Sequence, residues 1–273
     1  MLSQRLVTAA VLIALLVSAL FVLSSGQLAL LLGALVAAAA WEWTALSGMA
    51  SAARRLAYVA MVVAVGAVPA LLSVGVLPIM LLALAWWLWS VYELTRFAGA
   101  ESDRPRSLPY NLVAGVVVLV PAWVALVALH AGDPLRPAGL LYLLVLVWTA
   151  DSAAYFSGRS FGRTPLSPRL SPKKTIEGLV GGMAGVVAVA LVAGWWVWGL
   201  RDDDLLAWVL LGLVVGLFSV LGDLYESLMK RTVGLKDSGG WLPGHGGILD
   251  RCDSLTAAAP VFLLGWWLFG PGG

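Results

Sequence analysis

Charge is what this sequence has least of. Of 273 residues only 12% are Asp, Glu, Lys or Arg, against 61% apolar, and the mean hydropathy is +0.93. An ordinary soluble domain carries about a quarter of its residues charged, so this composition excludes that class and points to an integral membrane protein. Cysteine is nearly absent too. Cys252 alone rules out an intramolecular disulfide and cannot by itself build a zinc site. Internal repeats and low-complexity tails are missing beyond alanine-rich runs. A net charge of +2 says little until it is sorted by side of the membrane, and no nucleic-acid partner is expected. Tryptophan is the plentiful exception: fourteen of them suit interfacial belts better than a cofactor box.

Apolar stretches bounded by Gly, Pro or charge fall at about 6–23, 28–47, 56–74, 77–97, 111–130, 138–156, 179–199, 205–225 and 255–269. Each is long enough to cross about 30 Å of hydrocarbon, except the last, which is short unless it starts inside the polar segment before it. Backbone satisfaction in lipid makes all of them helices. The expectation is an all-α polytopic membrane protein of about nine spans, a single membrane domain over 1–273. Spans one to five lie in 1–130, and 138–273 carries both long polar loops. Arg5 followed by an apolar run has the look of a secretory signal, but no A-x-A cleavage site follows before Gly26, and the run is read as a retained first span.

With the N-terminus in the cytoplasm, 15 of the 17 Lys and Arg residues fall in inside loops, and only Arg136 and Arg201 lie outside. Such a bias sets the N-terminus inside and, after nine spans, the C-terminus outside. An eight-span count breaks the pattern. Arg54, Arg55, Arg104 and Arg106 are assigned to this bias alone. His130, at the outer end of span five, reads as an interface residue.

Two segments then share the cytoplasmic face. Ser157 to Gly178 is rich in Gly, Pro, Ser and basic residues and is expected to form irregular, phosphate-binding backbone. Ser227 to Asp253 packs four basic residues, three aspartates, a histidine and six glycines between two apolar runs. Near span ends stand Asp223, Asp250 and Asp253. Carboxylates there pair with a cation such as Lys230 or Arg251, or hold Mg²⁺ while leaving positions for substrate phosphates. Lys173-Lys174-Thr175 and Lys230-Arg231 with Lys236 have the charge to cradle a triphosphate, or simply carry the inside-positive bias. His245 stands between glycines that let backbone N–H groups approach a phosphate. Asp151 lies a turn and a half inside span six and should face a polar cavity, with Tyr155 on the same helix face. Glu42 and Glu93 read as snorkelling or Arg-paired carboxylates. Gly178, Gly181, Gly182 and Gly185 form small-x-x-x-small patterns that pack within the subunit or across a homodimer.

These residues carry a resemblance. The run S-L-M-K-R-T-V-G-L-K-D-S-G-G-W-L-P-G-H-G-G-I-L-D-R-C-D resembles the signature of the phosphatidate cytidylyltransferases, with every fixed position met over 27 residues. Cys252 departs mildly, standing where the family usually has an aliphatic residue or Thr. The likeness extends to W-T-A-D-S-A-A-Y-F-S-G-R-S-F-G-R and S-P-K-K-T-I-E-G, and so covers roughly the C-terminal half.

The resemblance implies transfer of the cytidylyl group of CTP to phosphatidate, giving CDP-diacylglycerol and pyrophosphate, with Mg²⁺ and room for a second cation such as K⁺. It implies a bacterial cytoplasmic membrane enzyme whose site faces the cytoplasm among membrane lipids. Metal ligation falls to Asp223 and Asp250, with Asp253 as a further candidate. Lys230, Arg231, Lys236, Asp237, His245 and Arg251 are the expected catalytic set, and Asp151, Tyr155, Lys173, Lys174, Thr175, Glu177 and Ser227 the expected substrate contacts. Phosphatidate is already an anionic nucleophile, so the task is to bring two polyanions together. Two other readings stay open at this point. A CTP-dependent polyprenol kinase would release CDP, and a transporter would use Asp151, Glu42 and Glu93 along its pathway.

Overall fold

The computed structural model describes residues 2–72, 75–98, 106–132, 137–241 and 246–270, with side chains from residue 11 onward except residue 12. Among these residues run nine helices: α1 (Leu2–Val22), α2 (Ser25–Leu46), α3 (Ala52–Leu72), α4 (Leu77–Ala98), α5 (Leu108–Gly132), α6 (Ala138–Phe161), α7 (Ile176–Trp196), α8 (Asp202–Thr232) and α9 (Leu249–Phe269). Eight of them, α2 to α9, are long and apolar enough to cross a membrane. The chain is an all-α polytopic membrane protein, and each helix overlies one of the expected spans.

Helices α8 and α9 exceed their expected limits most, for a physical reason. After Asp223 the sequence L-Y-E-S-L-M-K-R continues to favour helix, and Glu226 and Lys230 pair at i,i+4. At about 1.5 Å per residue the 31 residues of α8 outrun roughly 30 Å of hydrocarbon, so its last turns carry polar side chains beyond it. Helix α9 begins at Leu249, inside the polar stretch, which supplies the length its apolar run lacks.

The segment between α6 and α7 corrects the expectation of irregular backbone. Strand β1 (Pro165–Ser167) pairs antiparallel with β2 (Ser171–Thr175), Pro165 opposite Thr175 and Ser167 opposite Ser171. Buried Leu170 anchors the turn. Helix α7 then lies directly on α6. A Cβ at Gly182 would stand 2.8 Å from the Ala150 carbonyl oxygen, and one at Gly178 2.9 Å from that of Ala154. The small-residue face is therefore used inside the chain.

One end of the bundle gathers the C-terminal ends of α2, α4, α6 and α8 with the N-terminal ends of α3, α5, α7 and α9. There Trp43 Nε1 donates to the Asn111 carbonyl (2.7 Å), Arg55 bonds Thr44 and the Trp41 carbonyl, and an Arg169 guanidinium nitrogen donates to the Phe97 carbonyl (2.5 Å). At the other end Tyr142 stacks on Trp208 at 4.9 Å, with Trp198, Phe262 and Trp266 around them. The tryptophans thus divide. Trp43, Trp87 and Trp208 are core residues at 1% exposure or less, whereas Trp196 stands 79% exposed. His130 is no surface residue either: it is buried, with Nδ1 2.9 Å from Ser25 Oγ and Nε2 3.0 Å from the Leu20 carbonyl.

Candidate active site

At the first of these ends, α6, the hairpin, the start of α7 and the last third of α8 enclose a cavity of about 480 Å³. Asp151, Tyr155, Lys173, Lys174, Thr175 and Asp223 line it, six residues singled out from the sequence, together with Arg159. Strand β2 delivers the lysines. Lys173 is exposed, while Lys174 turns inward and sets Nζ 2.5 Å from Asp223 Oδ2. Thr175 ends the strand as the N-cap of α7, its Oγ1 accepting from Gly178 N at 3.1 Å, a bond that fills one of the orphan donors of a helix start. Tyr155 is exposed, and its hydroxyl accepts from Arg159 at 3.2 Å.

Glu177 shapes the hairpin from behind. Its carboxylate accepts from Arg163 N (3.0 Å), Thr164 N (3.2 Å) and Thr164 Oγ1 (3.0 Å), tying the entry of β1 to the first turn of α7. Ser227 is buried one turn beyond Asp223, with Oγ 3.5 Å from Asp223 Oδ1.

Helices α8 and α9 touch here because Gly222 has no side chain: a Cβ would collide with the Asp253 carbonyl oxygen. That contact sets Asp253 within electrostatic reach of Asp223 and Glu226, while Asp151 reaches Asp223 from α6.

A second polar cluster lies around Asp250. Lys230, 9% exposed, holds Glu226 Oε2 at 2.5 Å and Asp250 Oδ1 at 2.7 Å. The other oxygen of Asp250 accepts from Ser238 N (3.0 Å), Ser238 Oγ (3.0 Å) and Gly247 N (2.8 Å). Both carboxylate oxygens are thus engaged. Around this cluster, Arg231, Lys236, Asp237 and Arg251 are exposed. Arg231 donates to the carbonyls of Leu170 (3.4 Å) and Leu235 (3.3 Å), bridging the hairpin to the segment after α8. His245 lies outside the described residues.

Three residues were not read from sequence as parts of this architecture. Glu226 is the partner of Lys230, and its i,i+4 spacing was the available signal. Glu42, placed among snorkelling or Arg-paired carboxylates, is instead 2% exposed and accepts from Ile248 N (3.0 Å), Leu249 N (2.9 Å) and Ser238 Oγ (3.0 Å). Arg106, assigned to the inside-positive bias, stands 3.3 Å from Glu93 Oε1 and 3.3 Å from Met229 Sδ, and so reaches α8. Glu93 has the arginine partner foreseen for it, and also accepts from the Tyr110 hydroxyl at 2.6 Å.

The donor chemistry suits Mg²⁺, which takes one or two hard carboxylate ligands and completes its shell with water and phosphate oxygens. Asp151 and Asp223 present two carboxylates on one cavity beside a lysine. No group of three His, Cys, Asp or Glu side chains stands ready as a metal site among the described residues.

Comparison with known proteins adds a history to this geometry. Residues 3–269 match the sequence model of the Cytidylyltransferase family. The phosphatidate cytidylyltransferase of Pseudomonas aeruginosa is 42% identical over 284 residues, covering 100% of this chain and 99% of the relative. That of Haemophilus influenzae is 34% identical over 281 residues, covering 96% and 97%. A third, from Synechocystis, is 46% identical over 129 residues, or 46% of this chain and 43% of its own.

Proposed function

Because this chain belongs to the Cytidylyltransferase family, we infer that it is the enzyme that transfers the cytidylyl group of CTP to phosphatidate, leaving CDP-diacylglycerol in the membrane and releasing pyrophosphate. The observation that carries the assignment of chemistry to place is the cavity in which Lys173, Lys174 and Thr175 meet Asp223 and Asp151.

In the reaction a phosphate oxygen of phosphatidate attacks the α-phosphorus of CTP in line. A new P–O bond forms, the bond from the α-phosphorus to the oxygen bridging to the β-phosphorus breaks, and pyrophosphate leaves with the electron pair. The nucleophile is already an anion, so no general base is needed. What the protein must supply is positive charge for two polyanions and a geometry that holds them together. Lys174 and Lys173 on β2 and Arg159 on α6 supply the charge in the cavity. Mg²⁺ held on Asp223, with Asp151 beside it, would neutralise phosphate charge when bound. Asp253, within electrostatic reach of Asp223 across the α8–α9 contact, would add negative charge that favours a cation there. Asp250 has both oxygens committed to Lys230, Ser238 and Gly247, so we assign it to holding Ser238 and the start of α9 against α8 rather than to free ligation. A second cation such as K⁺ would have to compete with Lys230 for Asp250.

We further propose that the cavity opens to the cytoplasm of a bacterial cell and the protein resides in its inner membrane, on the strength of the 15-of-17 bias of Lys and Arg toward this end. Purified protein given CTP and phosphatidate tests the reaction by its released product. Pyrophosphate agrees with cytidylyl transfer; CDP would mean γ-phosphoryl transfer and overturn it.

A further inference from the structure

We propose that Glu42, on α2 and far in sequence from the signature, is a positioning residue for the reaction, acting through Ser238 on Asp250. The inference rests on the reading above that Asp250 and its segment belong to the site. Glu42 is 2% exposed, and a carboxylate taken that far from water is tolerated only where donors replace its hydration. It has three. Two are the N–H groups of Ile248 and Leu249, the start of α9, where the helix has no capping side chain of its own. An acid from another helix thus fills the donors that a local Ser or Asp usually fills, and it sits at the positive end of the helix dipole.

The third donor connects it to the site. Ser238 Oγ lies 3.0 Å from Glu42 Oε2 and 3.0 Å from Asp250 Oδ2. A hydroxyl has one proton, so it serves one carboxylate at a time and holds the two in a fixed relation. Asp250 in turn holds Lys230. The glycines of the signature acquire a reason from the same contact. A Cβ at Gly239 would stand 2.8 Å from Glu42 Cδ, and one at Gly247 2.6 Å from Glu42 Oε1, so both positions are kept bare by the incoming carboxylate. Glu42 therefore fixes where Ser238 and the start of α9 come to rest, without touching substrate.

The test is a double-mutant cycle in full-length protein purified in detergent, with Glu42→Gln, Ser238→Ala, the double variant, and Asp250→Asn as the control for the underlying reading. Glu42→Gln keeps the size and loses the charge; Ser238→Ala leaves the α9 cap intact and cuts only the link. The expected result is a fall in kcat of tenfold or more in each single variant, with KM for CTP within twofold of wild type. The double variant should be no more than about threefold below the worse single one. Rates are taken per folded molecule, judged by thermal unfolding and a monodisperse elution profile. A wild-type kcat in Ser238→Ala overturns the proposal even if Glu42→Gln fails to fold. Losses that multiply in the double variant overturn it as well, because the two residues then act separately. If Asp250→Asn is inactive while Glu42→Gln turns over normally, this inference fails and the reading of Asp250 stands. If Asp250→Asn itself is fully active, the reading fails and takes the inference with it.

Discussion

Lys174 Nζ and Asp223 Oδ2 stand 2.5 Å apart, joining strand β2 to helix α8 across the cavity. Each side chain is 28% exposed, and an ion pair that well solvated contributes about 1 kcal/mol or less to stability. A charge-assisted bond to a phosphate is worth about 1.5–3 kcal/mol. On the proposed reading, a substrate phosphate draws the ammonium away and a cation takes its place on the carboxylate, at small cost to stability.

Removing the ammonium should weaken the substrate that uses it. In Lys174→Ala, KM for one of the two substrates is expected to rise tenfold or more, measured by varying each with the other saturating. The substrate affected is the one this hairpin binds. Unchanged KM for both would return Lys174 to a merely topological role.

The buried group Glu226–Lys230–Asp250 is an ion network of another kind. Removing one member of a buried pair leaves an uncompensated charge and costs about 3–5 kcal/mol. Lys230→Met leaves two carboxylates without their cation, and thermal unfolding in detergent should shift down by several degrees relative to wild type. A melting temperature equal to wild type would show that the network does not support the α8–α9 junction.

The close approach of α6 and α7 gives a prediction about space. Gly182→Val places its Cβ 2.8 Å from the Ala150 carbonyl oxygen, which backbone cannot yield cheaply, so α7 must move and carry β2 with it. Activity and melting temperature should both drop, activity by at least tenfold. Gly26→Ala meets nothing within 4 Å and serves as the silent control. Equal behaviour of the two variants would contradict the packing.

Much of this was legible beforehand, and the boundary of legibility is physical. The spans could be read because backbone in hydrocarbon has few alternatives. Lys174 and Asp223 were both singled out, from a basic loop and from a carboxylate near the lipid boundary. The β-hairpin was hidden because Pro, Ser and Gly signal a turn without saying whether its arms pair. Glu42 was hidden for a different reason. Its partners are backbone N–H groups more than two hundred positions away, and a backbone donor leaves no mark on the sequence. Buried Trp208 and Trp87 were read as interfacial because composition cannot tell a ring in a helix seam from one at a headgroup.

Sidedness can be read by labelling. In a Cys252→Ser background, Leu235→Cys probes an exposed position within the signature and Asp203→Cys an exposed position at the opposite end. An impermeant maleimide added to intact cells with a permeabilised outer envelope should label the second and not the first, and inverted vesicles should reverse this. Labelling of Leu235→Cys from outside would refute the cytoplasmic assignment.

The central claim is that the cavity around Asp223 is where CTP and phosphatidate react. Its most direct test is turnover of CTP labelled at the α-phosphorus, by wild type and by Asp223→Asn of equal melting temperature, across a Mg²⁺ titration. The account predicts label in the lipid fraction for wild type and a loss of about 100-fold or more for Asp223→Asn at every Mg²⁺ concentration, the size found when one preorganised electrostatic group is removed. Wild-type rates in Asp223→Asn would contradict it.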